Sequence, residues 1–316
     1  MKMFLVALAA VVMALPARAQ TYPDKPIRMV VPFPPGGPLD VVARVFAAPM
    51  AEKFGQSVFV ENRAGASGNI GMDTVARAQP DGYTLLWMLD SMLTVNPIVY
   101  PTAGELLERL RPIAIVAENV SAVAVNPALG VKSVAEFIKL SHSKDLSYAS
   151  AGPGSPGHRY MELFKMLTGA KATHVPYSGN APGVQSLIAG ETQAFVSPVA
   201  GVLQQIRAGK LMALAVSSPR RTPTLPEVPT MTELGYPKFN NVAWFSVFAP
   251  AKTPQAVIDT LERELQRVVQ LPDVRERMNK SGSGPAWENS KTIVARAATE
   301  RKLWAEVIEK TGMKVE

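Results

Sequence analysis

The chain contains no cysteine, which removes disulfides, reactive thiols, thiolate metal sites and a lipid-modified N-terminal cysteine together. Only three histidines occur in 316 residues. His142, His158 and His174 do not stand at metal-ligand spacing, so no metal is expected. No block of five like charges is present, and the densest basic spot, Arg220-Arg221, reads as a solvated loop. After the first residues no run reaches the length of a membrane-spanning helix. A Walker A sequence, a G-x-S-x-G elbow, solenoid repeats and low-complexity tracts are all missing.

What is present starts at the N-terminus. Lys2 precedes an apolar run over 3–15, and Ala17-Arg18-Ala19 forms a small-x-small cleavage site. Residues 1–19 therefore read as a cleavable signal peptide, with the periplasm as destination; a buried N-terminal helix is the alternative. Cleavage would remove Lys2 and Arg18 and no acid, lowering the formal charge from +7 by two. So mild a positive balance suits an anionic ligand and does not indicate nucleic acid. The length implies two domains, and 47% hydrophobic residues supply a core for each.

Short β-rich runs alternate with amphipathic helical stretches, the pattern of an α/β fold with mixed, mostly parallel sheets. Strands are expected at 27–33, 57–61, 83–88, in two runs within 112–126, and at 146–150, 172–176, 192–196, 211–217 and 242–249. Helices are expected from Asp40, taken as an N-cap, and over 72–78, 158–168, 181–189, 199–208, 254–269, 272–280 and 290–310, with another from Ser133 to 140. Residues 218–240 read as irregular.

Two units form a set. Pro34-Pro35-Gly36-Gly37-Pro38 and Ala151-Gly152-Pro153-Gly154-Ser155-Pro156-Gly157 each follow a strand and open a helix. Ligands of open α/β sheets bind beyond the carboxyl ends of strands. Helix starts there offer free N–H groups and partial positive charge to an anion. One such unit per domain would make a carboxylate clamp built from backbone; tight βα turns are the plainer reading of either alone.

The stretch from Tyr22 to Leu86 (YPDKPIRMVVPFPPGGPLDVVAR to ENRAGASGNIGMDTVARAQPDGYTLL) resembles the substrate-binding proteins of tripartite tricarboxylate transporters, the Bug-type family. So do HVPYSGNAPGVQSLIAGE, IRAGKLMALAVSSPRRTPTLPEVPTMTELGYP and AWFSVFAPAKTP, in the family's order. The resemblance implies a type II periplasmic binding protein of the Venus-flytrap kind. One lobe would comprise 21–122 plus 244–316 and the other 123–243, with hinges near 120–126 and 242–249. It implies a small organic carboxylate, a di- or tricarboxylate or an aromatic acid, held by Pro34–Asp40 and by Ala151–His158, partly through water. Membrane permease subunits would be the partner, the protein would be a monomer, and no cofactor is implied.

Candidate ligand-binding residues follow from the loops and the strand ends beside them. The first unit contributes Phe33, Pro35, Gly36, Gly37 and Asp40, with Ser67, Asn69, Asp90 and Ser91 nearby in sequence pattern. The second contributes Ala151, Gly152, Gly154, Ser155 and His158, with Tyr177, Ser178, Asn180 and Ser197. Asp40 would repel an anion, so capping or loop ordering is its expected task. Ser155 can donate to a carboxylate. His158 either donates to the anion or caps the turn, and Asn69 either takes a left-handed conformation or touches ligand. Many relatives carry a Gly-Thr-Ser-like run where this chain has Trp87-Met88-Leu89-Asp90-Ser91-Met92, and an acid where it has Ser197-Pro198. The missing acid weakens an amino-acid ligand. Trp87, Met88 and Met92 either widen the pocket or belong to the core, Trp244 is expected to pack, and Arg159 to face solvent.

Enzymatic readings fare poorly. Gly152-x-Gly154-x-x-Gly157 matches a dinucleotide fingerprint in form, but Pro153 and Pro156 remove two N–H groups that a pyrophosphate cradle would use. Ser155 and His158 lack an evident acid to orient them as a catalytic pair. No catalytic residue is assigned. The alternatives to transport are an extracytoplasmic sensor for a membrane receptor and a secreted hydrolase.

Overall fold

The computed structural model describes residues 22–240 and 242–314; the expected signal peptide lies outside them. The elements run β1 (Ile27–Val31), α1 (Pro38–Phe54), β2 (Val58–Asn62), α2 (Asn69–Ala76), β3 (Thr84–Leu89), α3 (Asp90–Thr94), α4 (Asn96–Val99), α5 (Ala103–Glu108), β4 (Leu110–Asn119) and β5 (Ser121–Val125). Then come α6 (Val134–Ser141), β6 (Ser147–Ser150), α7 (Pro156–Thr168), β7 (Thr173–Pro176), α8 (Asn180–Ala189), β8 (Ala194–Pro198), α9 (Val199–Arg207) and β9 (Met212–Val216). The chain finishes with β10 (Ala243–Pro250), α10 (Gln255–Gln270), α11 (Pro272–Ser281), β11 (Gly284–Asn289) and α12 (Ser290–Thr311).

The expected elements recur with small boundary shifts. Strand β1 stops at Val31, because Pro32 has no N–H for the ladder. Asp40 is not the N-cap: helix α1 opens on Pro38 with Gly37 as cap, which puts Asp40 inside the first turn. Ser133 does cap α6, its Oγ accepting from the Glu136 N–H at 3.1 Å. The short helices over 90–108 and strand β11 had no counterpart among the expected elements.

Two mixed sheets result, ordered β11-β4-β10-β3-β1-β2 and β7-β6-β8-β5-β9. In the first, β1 lies between β2 and β3 and is parallel to both. In the second, β6 lies between β7 and β8, again parallel to both. The remaining pairings, which involve β10, β4, β11, β5 and β9, are antiparallel. Each sheet is apolar on both faces. Ile27, Met29 and Val31 pack under α1, whereas Val30, Leu86 and Met88 pack on the other side with Met72 and Ile293. In the second sheet Val123 and Val125 face one cluster and Ala122 and Ala124 the other.

The chain passes from the first sheet to the second between Asn119 and Ser121, and returns between Val216 and Ala243. At the crossing the Ser121 N–H donates to Ser217 Oγ at 3.0 Å, and the Ser217 N–H to the Ser121 carbonyl at 2.8 Å. Helix α12 serves both sheets. Its Ile293 and Ala297 pack in a first-sheet cluster, its Trp304 and Val307 in a second-sheet cluster.

Candidate functional site

Parallel pairing decides where the chemistry gathers. With β1, β2 and β3 running the same way, their carboxyl ends share one edge of the first sheet. That edge carries Phe33–Asp40, Ser67–Asn69 and Asp90–Ser91. The carboxyl ends of β6, β7 and β8 likewise bring Ala151–His158, Tyr177–Asn180 and Ser197 to one edge of the second sheet. The structure thus collects the predicted residues into two groups, one per sheet.

In the first group Asp40 organises the loop from behind. Its carboxylate is almost fully buried. It accepts from the Gly36 N–H at 2.9 Å, from Arg44 Nε at 3.0 Å and from Asn62 Nδ2 at 2.9 Å. Asn62 also donates to the Phe33 carbonyl at 3.0 Å. Burial pushes the Asp40 carboxyl up, but Arg44, the Gly36 amide and Asn62 together hold it below the usual carboxylate value. Gly36, at φ +82°, makes the turn this wiring requires. Among the described residues nothing satisfies the N–H groups of Gly37, Leu39 and Asp40 at the start of α1. They form an unpaired set of donors at the positive end of a 17-residue helix, with Leu39 and Asp40 themselves nearly buried.

Beside this loop, Ala66 and Ser67 take left-handed backbone, at φ +46° and +52°, a conformation costly for residues with a Cβ. Ser67 Oγ lies 2.9 Å from Tyr100 Oη. Asn69 is right-handed instead and accepts from Asn96 Nδ2 at 3.0 Å. The left-handed expectation thus moves to its neighbours, because Asn69 begins α2. Trp87, Met88 and Met92 have no exposed surface. Trp87 meets Phe46 edge-on, ring centres 5.3 Å apart, so these three are core. Trp244 is buried too, its Nε1 donating to Glu300.

The second loop is wired to itself. The Gly152 N–H donates to Ser150 Oγ at 3.0 Å, the Gly154 N–H to His158 Nδ1 at 3.0 Å, and the Ser155 N–H to the Gly152 carbonyl at 3.2 Å. Ser155 caps α7, its Oγ accepting from the His158 N–H at 3.4 Å. Pro153 and Pro156 have no N–H to give. Among the described residues only the Ala151 and Gly157 amides of this loop lack a partner. The Ser155 hydroxyl still has its hydrogen to donate. His158 sits behind the loop, nearly buried, and accepts from Gly154 rather than from Ser155, which leaves the serine without a base. Burial first, then the neighbouring His174, lowers the His158 pKa to about 4. Ser197 is fully buried and donates to Asn180 Oδ1 at 3.2 Å; Tyr177 is half-buried and Ser178 exposed.

No hydrogen bond or ion pair among the described residues joins the two loops directly. The groups are tied one layer below. Arg159 Nη1 and Nη2 both reach Asp90 Oδ2 at 3.3 Å, with neither residue exposed. This overturns the solvent-facing expectation for Arg159. The guanidinium lies 4.9 Å from the centre of the Trp304 ring, so α3, α7 and α12 meet at one buried charge pair.

A groove of about 830 Å³ lies elsewhere, its walls including Glu118, Lys238, Arg296, Glu300 and Glu306 and no residue of either loop. Arg296 spans it, donating to Glu118 at 2.6 Å, Glu300 at 2.8 Å and the Val242 carbonyl at 2.9 Å. Burial holds Glu288 and Glu300 above the usual carboxylate range. The acids disfavour an anionic guest, and Arg296 is already engaged by the two chain crossings.

Among the described residues no helix is long and apolar enough to cross a membrane, and no cluster of potential metal ligands is found. The model of the family described as "Tripartite tricarboxylate transporter family receptor" matches residues 42–313. Protein BugT of Bordetella pertussis is 39% identical over 306 residues, covering 96% of this chain and 94% of BugT. The structure of Rpa4515 from R. palustris with adipate superposes with a TM-score of 0.80 at 31% identity, covering 93% of this chain and 99% of that one. MatC from Rhodopseudomonas palustris with bound malate gives 0.75 at 30% identity, covering 91% and 100%.

Proposed function

We propose, from the premise that this chain belongs to the tripartite tricarboxylate transporter receptor family, that it captures a small aliphatic dicarboxylate between its two loops and delivers it to membrane permease subunits. Members of the family are periplasmic solute-binding proteins, and two similar structures hold adipate and malate. The reading includes export by a signal peptide over 1–19, a monomeric mature form, and lobes of 21–122 plus 244–316 and of 123–243. No catalytic step belongs to it.

The observation that carries the proposal is the set of unpaired amides at Gly37, Leu39 and Asp40, with the Asp40 carboxylate engaged by Gly36, Arg44 and Asn62. One ligand carboxylate docks on these donors and the α1 dipole. The Ala151 and Gly157 amides and the Ser155 hydroxyl then reach it from the second lobe, directly or through water. Contacts made only after the lobes close give the closed state its differential affinity, and this drives closure.

Thermal-shift and calorimetric titrations with malate, adipate, benzoate and glucose test the reading. Saturating dicarboxylate raises the melting temperature, corresponding to about 2.7 kcal/mol at a hundredfold excess over Kd. Silence toward every acid together with binding of glucose overturns it.

A further inference from the structure

Behind the second loop stands a column of rings that carboxylate capture does not use. Tyr148 of β6 and His174 of β7 stack at 5.0 Å and 20°, and His174 and His158 of α7 at 3.9 Å and 7°. Each imidazole holds one glycine of the loop. His158 Nδ1 accepts from the Gly154 N–H at 3.0 Å. His174 Nε2 lies 2.6 Å from Ser150 Oγ, and that oxygen accepts from the Gly152 N–H at 3.0 Å. Gly152 and Gly154 are the two left-handed residues of the loop, at φ +108° and +69°. Their conformation defines where the Ala151 and Gly157 amides point.

The wiring fixes a protonation state. A ring nitrogen accepts from an amide only while it carries no proton, so His158 is neutral with its hydrogen on Nε2. The charged and titratable groups around the pair are Arg159, Glu162 and Lys165 of α7, with Tyr148 of β6. Glu162 accepts from Tyr148 Oη at 2.5 Å and from Lys165 Nζ at 2.8 Å, so it is engaged elsewhere. Burial lowers the pKa of both histidines.

We propose that His158 and His174 are positioning residues for the second ligand-contacting loop, each holding one of its glycines, and that Gly154 stays in place only while His158 is unprotonated. The inference rests on the carboxylate reading for its consequence but not for its test. It also opposes simple charge attraction: an imidazolium beside an anion would tighten binding in acid, whereas release of Gly154 loosens it.

The test uses the whole mature chain. Without ligand, amide correlation spectra from about pH 7 downward follow Gly154 alongside the His158 ring. The Gly154 amide loses its hydrogen-bonded shift with the same midpoint as the ring, near 4. Malate and adipate affinities are then compared at matched pH in the native protein, His158→Asn and His158→Phe. Asn places an acceptor where Nδ1 stands and has no proton to gain, so comparison with it cancels the ligand's own titration. Relative to His158→Asn, the native protein weakens about twofold at the ring's midpoint and about fivefold one pH unit below. His158→Phe, which keeps the stack and loses the acceptor, weakens binding by up to about tenfold throughout. A Gly154 amide that stays put while His158 titrates, or identical pH profiles for native and His158→Asn, overturns the proposal. Should no acid bind at any pH, the carboxylate reading fails, and the spectra still decide the positioning role.

Discussion

Pro34–Asp40 and Ala151–His158 are each a proline- and glycine-bearing turn between a parallel strand and a helix, yet their amides are engaged in opposite ways. The first loop leaves the helix-start donors Gly37, Leu39 and Asp40 unpaired and is braced by the buried Asp40 carboxylate. The second engages Gly152, Gly154 and Ser155 internally and is braced by neutral groups, the Ser150 hydroxyl and the His158 ring. A cradle and a stop are different tools. On the proposed reading, the difference assigns most of the anion affinity to the first sheet and leaves the second as a fixed surface against which the ligand would be held.

The largest expected effect concerns the tie between them. Arg159→Met leaves Asp90 buried without its counter-charge and costs about 3–5 kcal/mol in urea unfolding. Asp90→Asn combined with Arg159→Met recovers most of it; a single variant within about 1 kcal/mol of native would remove the pair from the account. Next, Asp40→Ala frees the Gly36 turn and costs about 2 kcal/mol, with a larger loss of dicarboxylate affinity than any single change in the second loop. The Asp40 contribution has a defined acid limb. Because the native carboxyl sits below its ordinary 3.8, the stabilisation is complete above that value and fades as pH falls through the lower native one. Asp40→Asn abolishes that limb, which pH-dependent unfolding measures. Ser155→Ala is the smallest, about 1 kcal/mol through loss of a helix cap, with modestly weaker binding. Equal affinity losses for Asp40→Ala and Ser155→Ala would erase the asymmetry.

Much of this was legible in the sequence because it is local. Proline and glycine punctuation marked both turns, and β-rich runs marked the strands on either side. Strand β11 was not legible, since Gly284–Asn289 becomes a strand only by pairing with β4, far away in sequence. The same holds for the site. Asp40 was readable as a loop-ordering acid, but its partners Arg44 and Asn62 and its place inside the first turn required the helix to start at Pro38. Arg159 read as a surface residue because its partner Asp90, at the start of α3, follows a strand of the other sheet. His174 gave no signal at all; its role depends on stacking against His158 across strand and helix.

Helix α12 carries a last consequence. Its early turns are embedded beside Ile293 in one sheet's packing and its later turns beside Trp304 in the other's, so the C-terminal segment is seated in both halves like an axle in two wheels. Any swing of the halves must turn about it or bend it. Shortening the chain ahead of Trp304 would therefore cut the shared bearing rather than trim a tail.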